Sequence, residues 1–150
     1  EHLSEHTIPN MMMGLDSQGK ALSNFTLTVG AIVGVHDGTA ESKDQAESVV
    51  RGMLGFYGST PAYRPVLETH GWGELQPQLR HMTKEGKWEE LGDLFNQEHL
   101  QALSIIGTPS EVGVELAKRF GQTADRVALS IPQGINPSWL TDLVSGAKGS

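Results

Sequence analysis

The residues Phe25 to Val35, FTLTVGAIVGV, constrain the fold more than any other stretch of the chain. Their alternation is that of a strand, because successive side chains on an extended backbone point to opposite faces. Phe25, Leu27, Val29, Ala31, Val33 and Val35 share one face; Thr26, Thr28, Gly30, Ile32 and Gly34 share the other. A free-standing sheet wetted on one side would carry charges there, and neither face does. One bulky and one small face suit a barrel strand, with the bulky side packed outward on helices and the small side turned into a crowded or ligand-lined interior.

The rest of the chain alternates helical and extended signals. Residues 2–14 read as a helix with a stripe through Leu3, Thr7 and Met11, kinked near Ile8-Pro9 because proline removes a backbone donor. His36-Asp37-Gly38 ends the strand, and Ala40 to Tyr57 follows helical spacing through Val49, Val50, Met53, Leu54 and Tyr57. Thr60-Pro61 opens a further helix that closes at His70-Gly71. Shorter helical pieces fall around 74–83 and 87–96, and Ala102 to Ile106 is apolar but ambiguous. Thr108-Pro109-Ser110-Glu111 is a capping box for a helix to about Phe120, with Gly121 as its expected left-handed stop. Arg126 to Ile131 is the second clear strand. Pro132, Gly134 and Pro137 then form a loop before a short helix at 137–144. Strand, helices, strand, helix describes the end of an α/β barrel of the (β/α)8 TIM type, carrying a helical insertion. An independent small α/β domain is the alternative, but two strong strands give it little sheet to cover.

The chain has 150 residues, enough for one compact domain, whereas a complete barrel needs roughly 250. We therefore read 1–150 as a single C-terminal segment of a barrel; its opening Glu1-His2-Leu3 agrees with a truncated or processed start. A net charge of −7, from 18 acidic and 11 basic side chains, argues against a surface that tracks nucleic-acid phosphates. No run approaches the ~20 apolar residues of a membrane span, and no signal-peptide pattern appears. With no cysteine, disulfides and thiolate metal sites are excluded, and a soluble cytoplasmic protein is expected.

Few residues suggest chemistry. His36 stands at a strand's C-terminal end, where barrel active sites lie, and imidazole can exchange a proton near neutrality. It is the one weak catalytic candidate; the plainer reading is a surface turn with Asp37 capping the next helix. Ser59 and Thr60 precede a helix start that favours an anion, with Tyr63 and Arg64 one turn on. Capping and aromatic packing explain the same residues without a ligand. His70 and Trp72 suit the wall of a cofactor or substrate pocket, although a histidine in the last turn of a helix also satisfies free carbonyls. Thr108 reads as a cap, since Glu111 would repel an anion there. His2 and His6, four apart, lack a third metal ligand; no metal site is expected. His81 and His99 have no suggestive neighbours, and Met11-Met12-Met13 reads as adaptable core filling.

The segment Phe56 to Trp72, FYGSTPAYRPVLETHGW, together with GKWEELGDLF, IIGTPSEV and DRVAL, resembles the luciferase-like monooxygenase superfamily. The nearest branch is the one dependent on coenzyme F420. The resemblance implies a TIM-type barrel, of which the N-terminal half is absent here. It implies hydride transfer between the deazaflavin and a small organic substrate, with FMN as the alternative cofactor. It also implies that the turn at 58–61 lies in an insertion over the barrel mouth. Much of the family's cofactor cradle comes from earlier strands, so no catalytic residue is carried over and the segment alone is expected to be inactive. Its open barrel edge calls for the missing N-terminal half or a second chain, a homo-oligomer being one such arrangement. A non-catalytic half-barrel interaction module is the contrasting expectation.

Overall fold

The computed structural model describes residues 1–131 and 135–149; the loop expected at Pro132 and Gly134 lies partly outside them. Three strands, β1 (Thr28–Val35), β2 (Ile105–Gly107) and β3 (Arg126–Ser130), form one parallel sheet in the order β2-β1-β3. Helices α1 (Ile8–Asp16), α2 (Ala40–Ser59), α3 (Arg64–Thr69), α4 (Leu75–Lys84), α5 (Gln97–Leu103), α6 (Pro109–Phe120) and α7 (Trp139–Lys148) surround it. This is the α/β architecture expected, a small parallel sheet with many helices, consistent with part of a barrel.

β1 is the centre of the sheet, paired to β3 along Thr28–Ile32 and to β2 along Val33–Val35. Its bulky face packs on helix as expected: Ala31, Val33 and Val35 meet Val112 and Leu116 of α6 and Leu143 of α7. The small face does not border an empty interior. Ile32 and Ile106 join a second cluster built on Val50 and Leu54 of α2 with Leu79, Leu91, Phe95 and Leu100. Gly34 permits this, since a Cβ there would lie 3.1 Å from Val50 and 3.4 Å from Ala46. Both faces of the second half of β1 are thus covered by helix, as parallel sheets require, while Thr28 and Gly30 stay exposed.

The register of α2 decides where later residues fall. Ala46 and Val50 lie against Gly34, while Leu54, Tyr57 and Gly58 lie beside Val29–Ile32. The helix therefore runs antiparallel to β1. Its 20 residues span about 30 Å and carry the chain from the C-terminal to the N-terminal end of the strand.

Several local expectations need correction. The strand starts at Thr28, because Phe25 closes a 3-10 turn at Leu22–Asn24 and stays 47% exposed. The helix read at 61–70 divides into a 3-10 turn, Pro61–Tyr63, and α3, where Pro65 restarts the helix. Gly121 has φ −62 and is no left-handed stop; Thr123 and Ala124 N–H groups prolong the turn onto the Phe120 carbonyl. The last helix runs on to Lys148, ended by Gly149 at φ 69. Met11, Met12 and Met13 are not core: α1 buries none of its residues, and the three are 36%, 48% and 63% exposed.

Candidate functional site

Because the strands are parallel, their C-terminal ends share one edge, where His36 follows β1 and Thr108 follows β2. His36 is buried rather than set in a surface turn. Its Nδ1 accepts the Gly38 N–H at 3.1 Å, which leaves the proton of a neutral ring on Nε2. Asp37 accepts from both the N–H and hydroxyl of Thr39, and Thr39 Oγ1 in turn caps α2 through Ser42 N–H. Those bonds hold the Asp37 carboxyl below its ordinary pKa. Across the edge, Glu111 accepts from the Thr108 N–H and hydroxyl at 2.8 Å each, completing the capping box read from sequence. The same bonds lower the Glu111 pKa.

The other candidates lie at the opposite end of α2, beside the start of β1, so the turn at 58–61 is not over the C-terminal ends of the strands as expected and is not brought together with His36. A cleft of about 1080 Å³ runs beside the first half of β1, lined by Val29–Ile32, Tyr57, Tyr63, His70, Trp72 and Arg119 among others. Tyr63, His70 and Trp72 are therefore on one wall; Ser59, Thr60 and Arg64 are not part of the lining. Ser59 donates its hydroxyl to the Phe56 carbonyl, and the Thr60 side chain caps nothing. Arg64 Nε donates to Glu68 at 2.7 Å, with Glu74 3.8 Å from the same guanidinium. An arginine held by two carboxylates is poorly placed to receive an anion.

The aromatic wall is built through contacts the sequence concealed. The His70 ring stacks on Trp72 at 4.7 Å and 14°, and His70 Nδ1 lies 3.2 Å from a Glu1 carboxylate oxygen. On another side His99 meets the indole edge-on, 4.4 Å away, and Phe95 meets His99 in turn. His99 is buried and forms a reciprocal cap with Asn96: each backbone N–H is accepted by the other's side chain at 3.1 Å. Burial lowers its pKa, so the ring is neutral at neutral pH. Its one signal in the sequence was Asn96, an N-cap residue three positions earlier. Tyr57 completes the wall edge-to-face with Tyr63.

The N-terminal turn covers the outside of this cleft. Thr69 Oγ1 donates to the Pro65 carbonyl, so the 2.9 Å contact with His2 requires His2 Nδ1–H to donate to Thr69. His2 and His6 rings stand 4.9 Å apart. Among the described residues no three His, Asp or Glu side chains gather as a metal site, and no helix is long and apolar enough to cross a membrane.

Residues 1–126 match the luciferase-like monooxygenase family. The chain belongs to that family. Uncharacterized proteins of Mycobacterium tuberculosis and Mycobacterium bovis are each 37% identical to this luciferase-like chain over 126 residues. Those residues are 84% of the chain and 37% of either relative, so the chain spans well under half the length of the curated relatives it matches. Luciferase-like domains are TIM barrels and their members use flavin or F420. The match ends where β3 begins, so β1, β2 and the aromatic wall all fall inside the family region.

Proposed function

We propose that this luciferase-like chain is part of an F420-dependent oxidoreductase that acts on a small organic substrate. The observation that carries the reading is the family match across residues 1–126, which contains the segment Phe56 to Trp72. When bound, the deazaflavin would supply hydride transfer; the protein's part is to place it, exclude water and set local polarity. The aromatic cleft fits a flat ring. It offers Tyr63, 44% exposed, and an indole held from two directions by His70 and His99. Apolar residues of β1 and α2 share the lining with polar and charged groups, among them His2, Gln101 and Arg119, that could bind the polar parts of a ligand. FMN fits the same description, and the choice of F420 rests on the sequence segment alone.

His36 is proposed as the polar group at the C-terminal edge, with Nε2–H available to donate. Because α2 separates it from the aromatic wall, substitution tells the two regions apart. In the assembled protein, Trp72→Ala is expected to weaken cofactor binding about tenfold, as loss of one stacking partner does. His36→Ala, at the other end of the 20-residue α2, is expected to leave that binding intact. Fluorescence titration with F420 reads both variants. Binding untouched by Trp72→Ala would remove the cleft from the cofactor site.

The 150 residues alone are proposed to be inactive. A second reading, a non-catalytic half-barrel module, is favoured by the short reach of β2, which pairs only with Val33–Val35 and leaves the first half of β1 without a neighbour on that side.

A further inference from the structure

The aromatic cleft carries a charge pattern of its own. Histidines aside, the charged side chains that line it are Glu1, Glu98 and Arg119. Every guanidinium nitrogen of Arg119 already donates: Nε to Glu115 at 2.8 Å, Nη1 to the Ser104 carbonyl and Nη2 to the Gln101 carbonyl. Its positive charge is thereby balanced by Glu115, which is not part of the lining. The Glu1 carboxylate is shared with His70. Glu98 has neither a hydrogen-bond nor an ion-pair partner among the described residues. Burial holds His2 below its ordinary pKa, so its ring adds no charge at neutral pH. Among the described residues, the lining thus offers a ligand unpaired negative charge and no free cation.

Negative charge beside aromatic faces is the combination that recognises cations. A ring face attracts an ammonium group through its quadrupole, and a nearby carboxylate adds Coulomb attraction. Tyr57, Tyr63, Trp72 and Phe95 supply rings to this lining. The two tyrosine rings lie 5.3 Å apart at 80°, so nearly perpendicular planes border the same space. Tyr63 and Glu98 are both exposed, so packing accounts for neither. We propose that the cleft selects a substrate carrying a cationic amine or quaternary ammonium group on a flat or apolar body, and turns away carboxylates and phosphates. That the ligand is a substrate rests on the oxidoreductase reading above; the selectivity rests on the cleft. The same field leaves the phosphate of either cofactor to residues outside it.

Small aromatic probes of different charge test it: benzyltrimethylammonium, benzyl alcohol and benzoate. Each is titrated into the assembled protein while the indole N–H signal of Trp72 is followed by NMR. The ammonium probe should bind at least about fivefold more tightly than the alcohol, and benzoate should leave the signal unmoved. Glu98→Gln should cut that preference by about threefold. Tyr63→Leu keeps apolar bulk and removes the ring face; it should weaken the ammonium probe by about threefold and leave the alcohol unaffected. Both positions are exposed, so thermal unfolding of the two variants should match the parent. Equal affinity for all the probes, tighter binding of benzoate, or a cation preference unchanged in both variants would overturn the proposal. A parallel F420 titration separates the two readings. Cation preference without F420 binding counts against the cofactor assignment alone, and F420 binding without cation preference counts against the selectivity alone.

Discussion

At the scale of single residues, His99 carries the clearest consequence. It closes the N-cap of α5 and braces Trp72, and burial holds its pKa below the ordinary 6.5. An unfolded histidine takes up a proton near that ordinary value, while the buried ring resists. The contribution to stability is therefore complete above about pH 6.5 and is lost as pH falls toward the folded value. Urea midpoints should drop between about pH 7.5 and 5.5, and His99→Leu should narrow the difference. An unchanged gap in the variant would show that His99 is not a source of the acid sensitivity. Arg64 illustrates the opposite case: a residue that looked like an anion ligand in sequence spends its charge on Glu68 and Glu74.

At the scale of elements, α2 organises one half of the molecule through small residues. A Cβ on Gly55 would lie 2.6 Å from Leu91 Cβ and 2.9 Å from the Leu91 carbonyl carbon. The 3-10 turn Leu91–Leu94 rests on that spot, with Leu91 1% exposed. Gly55→Ala should therefore destabilise by about 1–3 kcal/mol, the usual cost of forcing a methyl into a packed contact. Thermal unfolding measures it, and Gly52→Ala, where nothing lies within 4 Å, serves as the control.

The elements that were legible in sequence are those whose signals are local. The alternation of β1, the helical spacing of α2 and the Thr108–Glu111 box all appear where expected, because each follows from neighbours a few residues apart. What the sequence hid depends on distant partners. β2 is three residues long and exists as a strand by pairing with Val33–Val35. α5 was concealed by an Asn–His cap that does not follow the usual Ser/Thr–Glu pattern. The site was legible in part for the same reason. Tyr63, His70 and Trp72 were named from composition and do share a wall, but His99 and Phe95 reach it from more than twenty residues away. His36 was separated from them by the direction of α2, which no spacing within the sequence discloses.

For the whole molecule, a family domain, a three-stranded parallel sheet and an open strand edge point the same way. Under the proposed function the catalytic unit would be larger than these 150 residues, with this chain supplying the aromatic wall and one polar edge. Equilibrium titration with F420 and FMN, on the chain alone and on the chain combined with the remainder of the domain, tests that account most directly. It predicts binding of F420 to the combined protein, weaker or no binding of FMN, and neither cofactor retained by the chain alone. A combined protein that binds neither, or FMN in preference, would contradict it.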